Sequence, residues 1–70
     1  MIEHTEDYNT IPTEGWCFYN DPDETVMEVY YNGNCVASEY ITDYCDVKGL
    51  DFQEDKTLVY DTFLQGVCAS

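Results

Sequence analysis

Two strand-like runs separated by a cluster of turn residues constrain this fold more than any other feature of the sequence. Residues 15–19 are rich in the aromatic side chains that favour strands. Residues 20–24 read Asn-Asp-Pro-Asp-Glu and favour a turn, because Asn and Asp side chains bond nearby N–H groups and proline fixes φ. The pattern predicts an antiparallel hairpin over about 15–32. One face of its second run is the more apolar and should face the core: Met27, Val29 and Tyr31.

The segment after the Asn-Gly-Asn sequence at 32–34 is compatible with two structures. As a helix over about 35–47, it places its apolar side chains on one stripe and its polar side chains on the other, as the 3.6-residue period requires. As a strand, it would follow a tight reversal formed by Asn-Gly-Asn, but one face would then mix acidic and apolar side chains. We expect the helix, with a third strand as the alternative.

Two further signals mark the end of the first helix and the start of a second. Lys48 and Gly49 favour the end of the first helix, because a cation is stabilised near the negative C-terminal end and glycine readily adopts a left-handed φ. Residues 51–54 resemble a capping box with Asp51 as the N-cap, and apolar residues recur at helical spacing beyond them. The second helix is therefore expected over about 52–65, ending before a glycine.

These elements predict a small α+β domain in which an N-terminal hairpin is packed by two short helices. The chain has 70 residues, which is close to the lower limit for a self-supporting core. Its hydrophobic content of 44%, with seven Tyr, three Phe and one Trp, favours folding over disorder. Residues 1–13 are polar and acidic, and we expect a flexible arm or at best an edge strand there, followed by a single domain at 14–70.

The charge balance restricts the partners that this chain can have. Fifteen acidic residues against two basic ones give a formal net charge of -13. A field of this sign repels nucleic acid and anionic membranes and attracts basic protein surfaces at long range. It also opposes folding by self-repulsion, so stability should rise as salt screens the carboxylates. We therefore expect no direct binding to nucleic acid or to membranes, and a basic protein surface as the partner.

The sequence lacks the arrangements that carry catalysis or hold cofactors. The one histidine, His4, lies near the N-terminus, so a Ser or Cys nucleophile would have no base on a rigid scaffold. The four glycines are scattered, so no phosphate-binding loop is present. The turn at 20–24 lacks the central glycine and the spacing of an EF-hand loop. We expect no enzymatic activity, no cofactor and no metal site.

The four cysteines leave the thiol state open. No two of them form the Cys-x-x-Cys spacing that usually marks a zinc site: Cys17, Cys35, Cys45 and Cys68. The N-terminus has no signal-peptide pattern, and no run approaches the roughly 18 apolar residues that span a bilayer. A cytoplasmic protein with reduced thiols is expected. The alternative is a small secreted domain stabilised by disulfides.

Candidate partner-binding residues come from the acidic and the aromatic side chains. On the expected helix, Glu39, Asp43 and Asp46 would lie at i, i+4 and i+7, a row of charges about 5.4 Å apart that roughly imitates a phosphate backbone. The turn adds further carboxylates, and surface aromatic residues anchor interfaces at low entropic cost. The full candidate set is Glu39, Asp43, Asp46, Asp21, Asp23, Glu24, Trp16 and Tyr30.

A short chain of this kind, extremely acidic, rich in tyrosine and without catalytic groups, resembles the small inhibitors made by bacteriophages and mobile elements. Anti-CRISPR proteins and DNA-mimic anti-restriction proteins are the nearest types, and the resemblance lies in the character of the whole chain rather than in a motif. It implies a non-enzymatic inhibitor that occupies the basic, nucleic-acid-binding surface of a bacterial defence protein or complex. An acidic adaptor or regulatory module that docks a basic partner without mimicking DNA is the alternative.

Overall fold

The computed structural model describes residues 2–68 and has an α+β fold. Four strands form one sheet, in which they lie in chain order: β1 (Glu3–Thr5), β2 (Trp16–Asn20), β3 (Val26–Tyr31) and β4 (Asn34–Tyr40). Two helices follow the sheet: α1 (Ile41–Lys48) and α2 (Lys56–Cys68). β1 pairs with β2 in parallel, while β2, β3 and β4 form an antiparallel meander.

The predicted hairpin is confirmed as β2 and β3. Its register starts with Trp16 opposite Tyr31 and continues without a shift to the turn. The carboxylate of Asp21 closes that turn by accepting the backbone N–H groups of Thr25 at 2.7 Å and Val26 at 2.9 Å. The turn chemistry read from the sequence is therefore the chemistry that the fold uses.

The helix predicted over 35–47 is wrong for its first half, where β4 takes its place. Asn32 and Gly33 both have positive φ values, 52° and 82°, which is the conformation of a two-residue hairpin turn. This turn directs the chain back along β3, as the strand alternative requires. Helix α1 begins only at Ile41 and ends as predicted, with Gly49 in the left-handed region.

Helix α2 begins and ends later than the predicted range of 52–65. Asp51 does act as a cap, but it caps a turn that precedes the helix. Its carboxylate accepts the N–H of Gln53 at 3.0 Å, and its carbonyl accepts the N–H of Asp55 at 2.9 Å. The regular helix starts after this turn and continues to Cys68.

Two apolar clusters lie on opposite faces of the sheet. The face covered by the helices forms the main core: Phe18, Met27, Val29, Ile41, Cys45, Val59 and Phe63. The opposite face holds a second buried cluster: Cys17, Tyr19 and Tyr30. Burying one side chain of the size of Phe or Met contributes about 1.5–3 kcal/mol, so the main core is the chief source of stability.

The N-terminal residues, expected as a flexible arm over 1–13, take part in the fold. Residues 3–5 form β1, the edge strand that was the weaker expectation for this segment. Beyond β1, Ile11 packs against the second apolar cluster, and the ring of Tyr8 meets that of Tyr19 edge-on at 6.0 Å. This segment therefore covers the face of the sheet that the helices leave open.

Candidate partner-binding surface

The acidic charge of the chain is almost entirely unpaired. All fifteen carboxylates belong to residues 2–68, and each lies on a side chain that is exposed or half-buried. Within that part of the chain one ion pair forms, between Glu24 and Lys56. The ammonium group of Lys48 lies over the ring of Tyr44, 5.8 Å from its centre. The surface therefore presents negative charge with almost no local compensation.

One end of the molecule gathers several of the predicted carboxylates. At this end β2 turns into β3 and β4 continues into α1, and the N–H of Ile41 donates to the carbonyl of Thr25 at 2.9 Å. A groove of about 430 Å³ lies here, where Glu24, Asp46 and Asp51 surround apolar side chains. We define the acidic end by the acidic residues of this region: Asp23, Glu24, Glu39, Asp43, Asp46 and Asp51.

The three carboxylates predicted to form one helical row lie on two different elements. Glu39 is exposed near the end of β4, whereas Asp43 and Asp46 are exposed on α1 and lie three residues apart, as neighbours on the helix surface. The regular spacing of a single helix is absent, because the chain is extended as far as Tyr40. Burial raises the pKa of Tyr44 on α1, and the charge of Glu39 adds to this shift, so Glu39 is electrostatically close to that helix.

The three carboxylates of the β2–β3 turn have different environments. Partial burial alone would raise the pKa of Asp21, but the hydrogen bonds from Val26 and Thr25 outweigh it and hold that pKa below its usual value. Asp21 is therefore committed to the turn rather than free to meet a partner. Asp23 is exposed, and Glu24 is half-buried with a left-handed φ of 57°. Of these three, Asp23 is the one whose carboxylate is left to solvent.

The two predicted aromatic anchors differ in exposure. Tyr30 is only 6% exposed, and its hydroxyl donates to Oε1 of Glu28 at 3.0 Å. Burial, followed by this hydrogen bond, raises the pKa of Tyr30 well above its ordinary value. Tyr30 is therefore a core residue and not the surface anchor that the sequence suggested. Trp16 is 42% exposed and stacks on Tyr31, which is 43% exposed, with ring centres 4.7 Å apart.

Trp16 and Tyr31 define the aromatic end, which lies at the opposite end of the strands from the acidic end. β3 begins at the turn of the acidic end and finishes at Tyr31, beside the β3–β4 turn. The backbone there is held by Asn32, whose N–H donates to the carbonyl of Gly15 at 2.9 Å and whose side chain accepts the N–H of Gly15 at 2.8 Å. The predicted site residues are thus separated into two groups that β4 connects.

Two contributors to these surfaces, Asp51 and Tyr31, lie outside the set of eight candidate residues. Asp51 was predicted as a helix cap, and it also lines the groove with Glu24 and Asp46. Tyr31 was assigned to the core because it alternates with Met27 and Val29, but it lies beyond the main core cluster. Its position next to a turn residue, Asn32, was the signal that it could reach the surface.

His4 is held by the sheet and does not lie in a solvated arm. Its Nε2 donates to Oδ1 of the buried Asn20, and its ring packs 5.0 Å from that of Phe18. Tyr60 of α2 approaches the same ring at 5.6 Å. Among residues 2–68, no three or more His, Cys, Asp or Glu side chains are grouped so that they could hold a metal ion.

The four cysteines are free thiols in this structure, with Cys17 and Cys45 buried and Cys35 and Cys68 exposed. Cys17 and Cys35 flank Tyr30 from the two neighbouring strands. Two strand spacings separate their backbones, about 9–10 Å, which exceeds the roughly 7 Å limit between the Cα atoms of a disulfide. A bond between these two thiols would require the sheet to rearrange.

Comparison of the chain with family models, with curated proteins and with solved structures finds no match to any of them. Within the described residues, neither helix has the length and apolar character needed to cross a membrane.

Proposed function

We propose that this protein is a non-enzymatic inhibitor that binds the basic, nucleic-acid-binding surface of a bacterial defence protein or complex, as anti-CRISPR and DNA-mimic proteins do. It acts in the cytoplasm, requires no cofactor and does not itself bind nucleic acid. The observation that carries this proposal is the unpaired acidic surface, in which one of the fifteen carboxylates forms an ion pair among the residues described.

The acidic groove supports the choice of a basic partner. Lys and Arg side chains bury their aliphatic stems against apolar surface while their charged heads stay with polar groups. The groove offers both, because the carboxylates of Asp46 and Asp51 line it beside the half-buried side chains of Leu50 and Phe52. A basic side chain of the partner can therefore lay its stem on the apolar residues and pair its head with the carboxylates.

The mechanism of inhibition is electrostatic attraction followed by steric blocking. The net charge of -13 steers the protein to a basic channel and raises the association rate, which then depends strongly on ionic strength. Once docked, the protein occupies the surface where the phosphates of DNA or RNA would bind, and it releases counterions as a nucleic acid would. The exposed Trp16 and Tyr31 supply apolar contact area at the aromatic end.

A competition experiment tests this function. The immobilised protein is exposed to bacterial lysate at low salt, the retained proteins are identified by mass spectrometry, and each is then purified. We expect a retained nuclease or CRISPR complex whose fluorescent DNA is displaced by this protein, as measured by anisotropy. Polyglutamate at the same concentration of carboxylates is the control for bulk charge and should displace much less DNA.

Two other results point away from DNA mimicry. A retained protein that binds DNA and this protein at the same time would favour the adaptor alternative, because the two ligands would then use different surfaces. Recovery of no nucleic-acid-handling protein, in lysates that contain active defence systems, would contradict the proposal.

A further inference from the structure

The outer edge of β4 is open. β4 is the last strand of the sheet and pairs with β3 on one side only, so no strand of the described residues lies along its other side. It is seven residues long and spans roughly 20 Å, from the aromatic end to the acidic end. An edge of this length is a template for an added strand.

The backbone geometry identifies amide groups that point away from the sheet. The N–H of Ile41 donates inward, to the carbonyl of Thr25. In an antiparallel ladder, inward and outward N–H groups alternate along a strand. The N–H groups of Tyr40 and Ser38 therefore point outward, toward the side of β4 that has no partner strand.

The side chains of β4 also leave this edge accessible. Six of its seven residues are exposed, and Val36 and Tyr40 are 50% and 59% exposed. Natural edge strands are usually protected by lysine, proline, short length or strong twisting. β4 contains neither lysine nor proline, and its protective features are the single charge of Glu39 and the register shift opposite Val29 and Tyr30.

The charges around β4 indicate which kind of segment could pair with its open edge. Glu39 lies on the helix-covered face of the sheet, opposite Met27, and the acidic residues of α1 follow directly beyond it. Tyr40 lies on the other face, opposite Val26. A strand added here would meet the carboxylate of Glu39 on the helix-covered face and the ring of Tyr40 on the other face. A second copy fits poorly, because pairing two chains would bring together two net charges of -13.

We propose that β4 captures an extended segment of the partner by strand addition, and that this segment alternates basic and apolar side chains. The inference rests on the proposed function, since it names the part of the basic partner that is recognised. Main-chain hydrogen bonds to the outward N–H and C=O groups of β4 supply the pairing, and the acidic end sets the preference for Lys or Arg.

Amide hydrogen exchange, followed residue by residue by NMR, tests the strand addition without the natural partner. The probe is a synthetic peptide of alternating lysine and valine, matched to β4 in length. We expect it to slow exchange at Ser38 and Tyr40 by about tenfold or more at saturation. Peptides that alternate lysine with proline, or glutamate with valine, are the controls, because the first cannot form the ladder and the second has the wrong charge.

A pair of variants of this chain isolates the backbone contribution. Ser38→Pro removes an outward N–H, which an edge strand tolerates, whereas Ser38→Ala keeps that N–H. We expect Ser38→Pro to lose the exchange protection by the lysine–valine peptide and Ser38→Ala to retain it. If Ser38→Pro does not fold, as judged by its NMR spectrum, the three peptides on the unmodified chain still decide the question.

Each other outcome overturns strand addition. Equal binding of the lysine–proline and lysine–valine peptides, without protection of β4, would mean docking by charge alone, and the proposed function would stand. Failure of the lysine–valine peptide to bind would reject the edge as a docking site, while the DNA competition would still decide the function. Protection of β4 that grows with protein concentration and needs no peptide would identify a second copy as the occupant.

Discussion

The two edge strands of the sheet differ in length and in their contacts with the core. β1 has three residues, and its central side chain, His4, bonds to Asn20 and packs on Phe18 and Tyr60, so this edge is tied to the core. Neither β1 nor β4 has a strand on its outer side, and Glu3 and His4 are exposed, but β4 is longer, with seven residues of which six are exposed. A short edge offers few free backbone groups for pairing, whereas a long open edge offers many.

This difference predicts that the β1 edge contributes mainly to the stability of the fold and the β4 edge mainly to partner binding. Residues at the β1 edge contact the buried cluster, so changes there should alter the free energy of unfolding. Residues at the outer side of β4 contact solvent, so changes there should alter binding and leave the fold largely intact.

Phe18→Ala should produce the largest loss of stability. The Phe18 ring is 2% exposed and joins β1 to α2, since it packs on His4 at 5.0 Å and on Tyr60 at 4.9 Å. Removing a buried Phe typically costs about 3–5 kcal/mol, which is enough to unfold a domain of this size. Urea denaturation followed by circular dichroism measures the change.

Trp16→Ala is the matched control, because Trp16 lies on the same strand and the same face but is half exposed. Its loss should cost about 1.5 kcal/mol or less, mainly through the stacking on Tyr31. An equal cost at both positions would contradict the view that the core is anchored at the β1 side of the sheet.

Charge reversal at the acidic end should have the next largest effect, on the association rate. The triple change of Glu39, Asp43 and Asp46 to Lys places positive charge where the basic partner docks. We expect the association rate to fall by about 10- to 100-fold at low salt, with a smaller change in the dissociation rate. Stopped-flow or surface-plasmon-resonance kinetics with the partner recovered by affinity capture measures both rates.

The same number of reversals in the segment that precedes β2 gives a charge-matched control. Changing Glu3, Glu6 and Glu14 to Lys shifts the net charge equally but leaves the acidic end intact. We expect a smaller loss of association rate, because steering depends on where charge lies as well as on its total. If both triple variants slow association equally, the partner senses only net charge and the acidic end is not the docking surface.

The sequence predicted the hairpin well and the next segment poorly, for a physical reason. The turn at 20–24 carries its own chemistry, because the carboxylate of Asp21 bonds the backbone at Thr25 and Val26. Residues 35–40 satisfy a helical period as well as a strand, and the choice depends on Asn32 and Gly33, whose left-handed turn returns the chain to β3. Local pattern alone does not decide between two such signals.

β1 and the acidic groove both depend on contacts between residues that are distant in sequence. β1 forms by pairing three residues in parallel with β2, more than ten positions later, so a three-residue run gives no detectable period. The groove brings Glu24 of the turn to Asp46 of α1 and to Asp51. The sequence identified Glu24 and Asp46 as separate candidates, but their meeting follows from the way α1 packs against the sheet.

Replacing one side chain at each edge by alanine should change the free energy of unfolding less than Phe18→Ala does. His4→Ala deletes a hydrogen bond to a buried amide and two ring contacts, so it should cost about 1–3 kcal/mol. Tyr40→Ala, on the exposed side of β4, should change the free energy of unfolding by about 0.5 kcal/mol or less. Urea denaturation of both variants compares the edges directly, and a larger cost for Tyr40→Ala would reverse the assignment of their roles.

A pH-dependent effect should appear in alkaline solution, at the Tyr60 ring that packs on His4 and Phe18. Burial, together with the charges of Glu24, Glu6 and Asp21, raises the pKa of Tyr60 to about 12, against about 10 for an unfolded chain. The folded state therefore binds the phenol proton more tightly. The resulting stability is present below about pH 10 and is lost as the pH rises toward 12.

Tyr60→Phe isolates this contribution because phenylalanine has no phenol to ionise. Urea denaturation between about pH 9 and pH 11.5 should show that the variant loses less stability than the unmodified protein over this range. Added salt should reduce the difference only in part, because it screens the carboxylates but not the burial of the ring. An identical pH dependence in the two proteins would mean that the Tyr60 hydroxyl reaches solvent, and that the β1 side of the core is less closed than its contacts with His4 indicate.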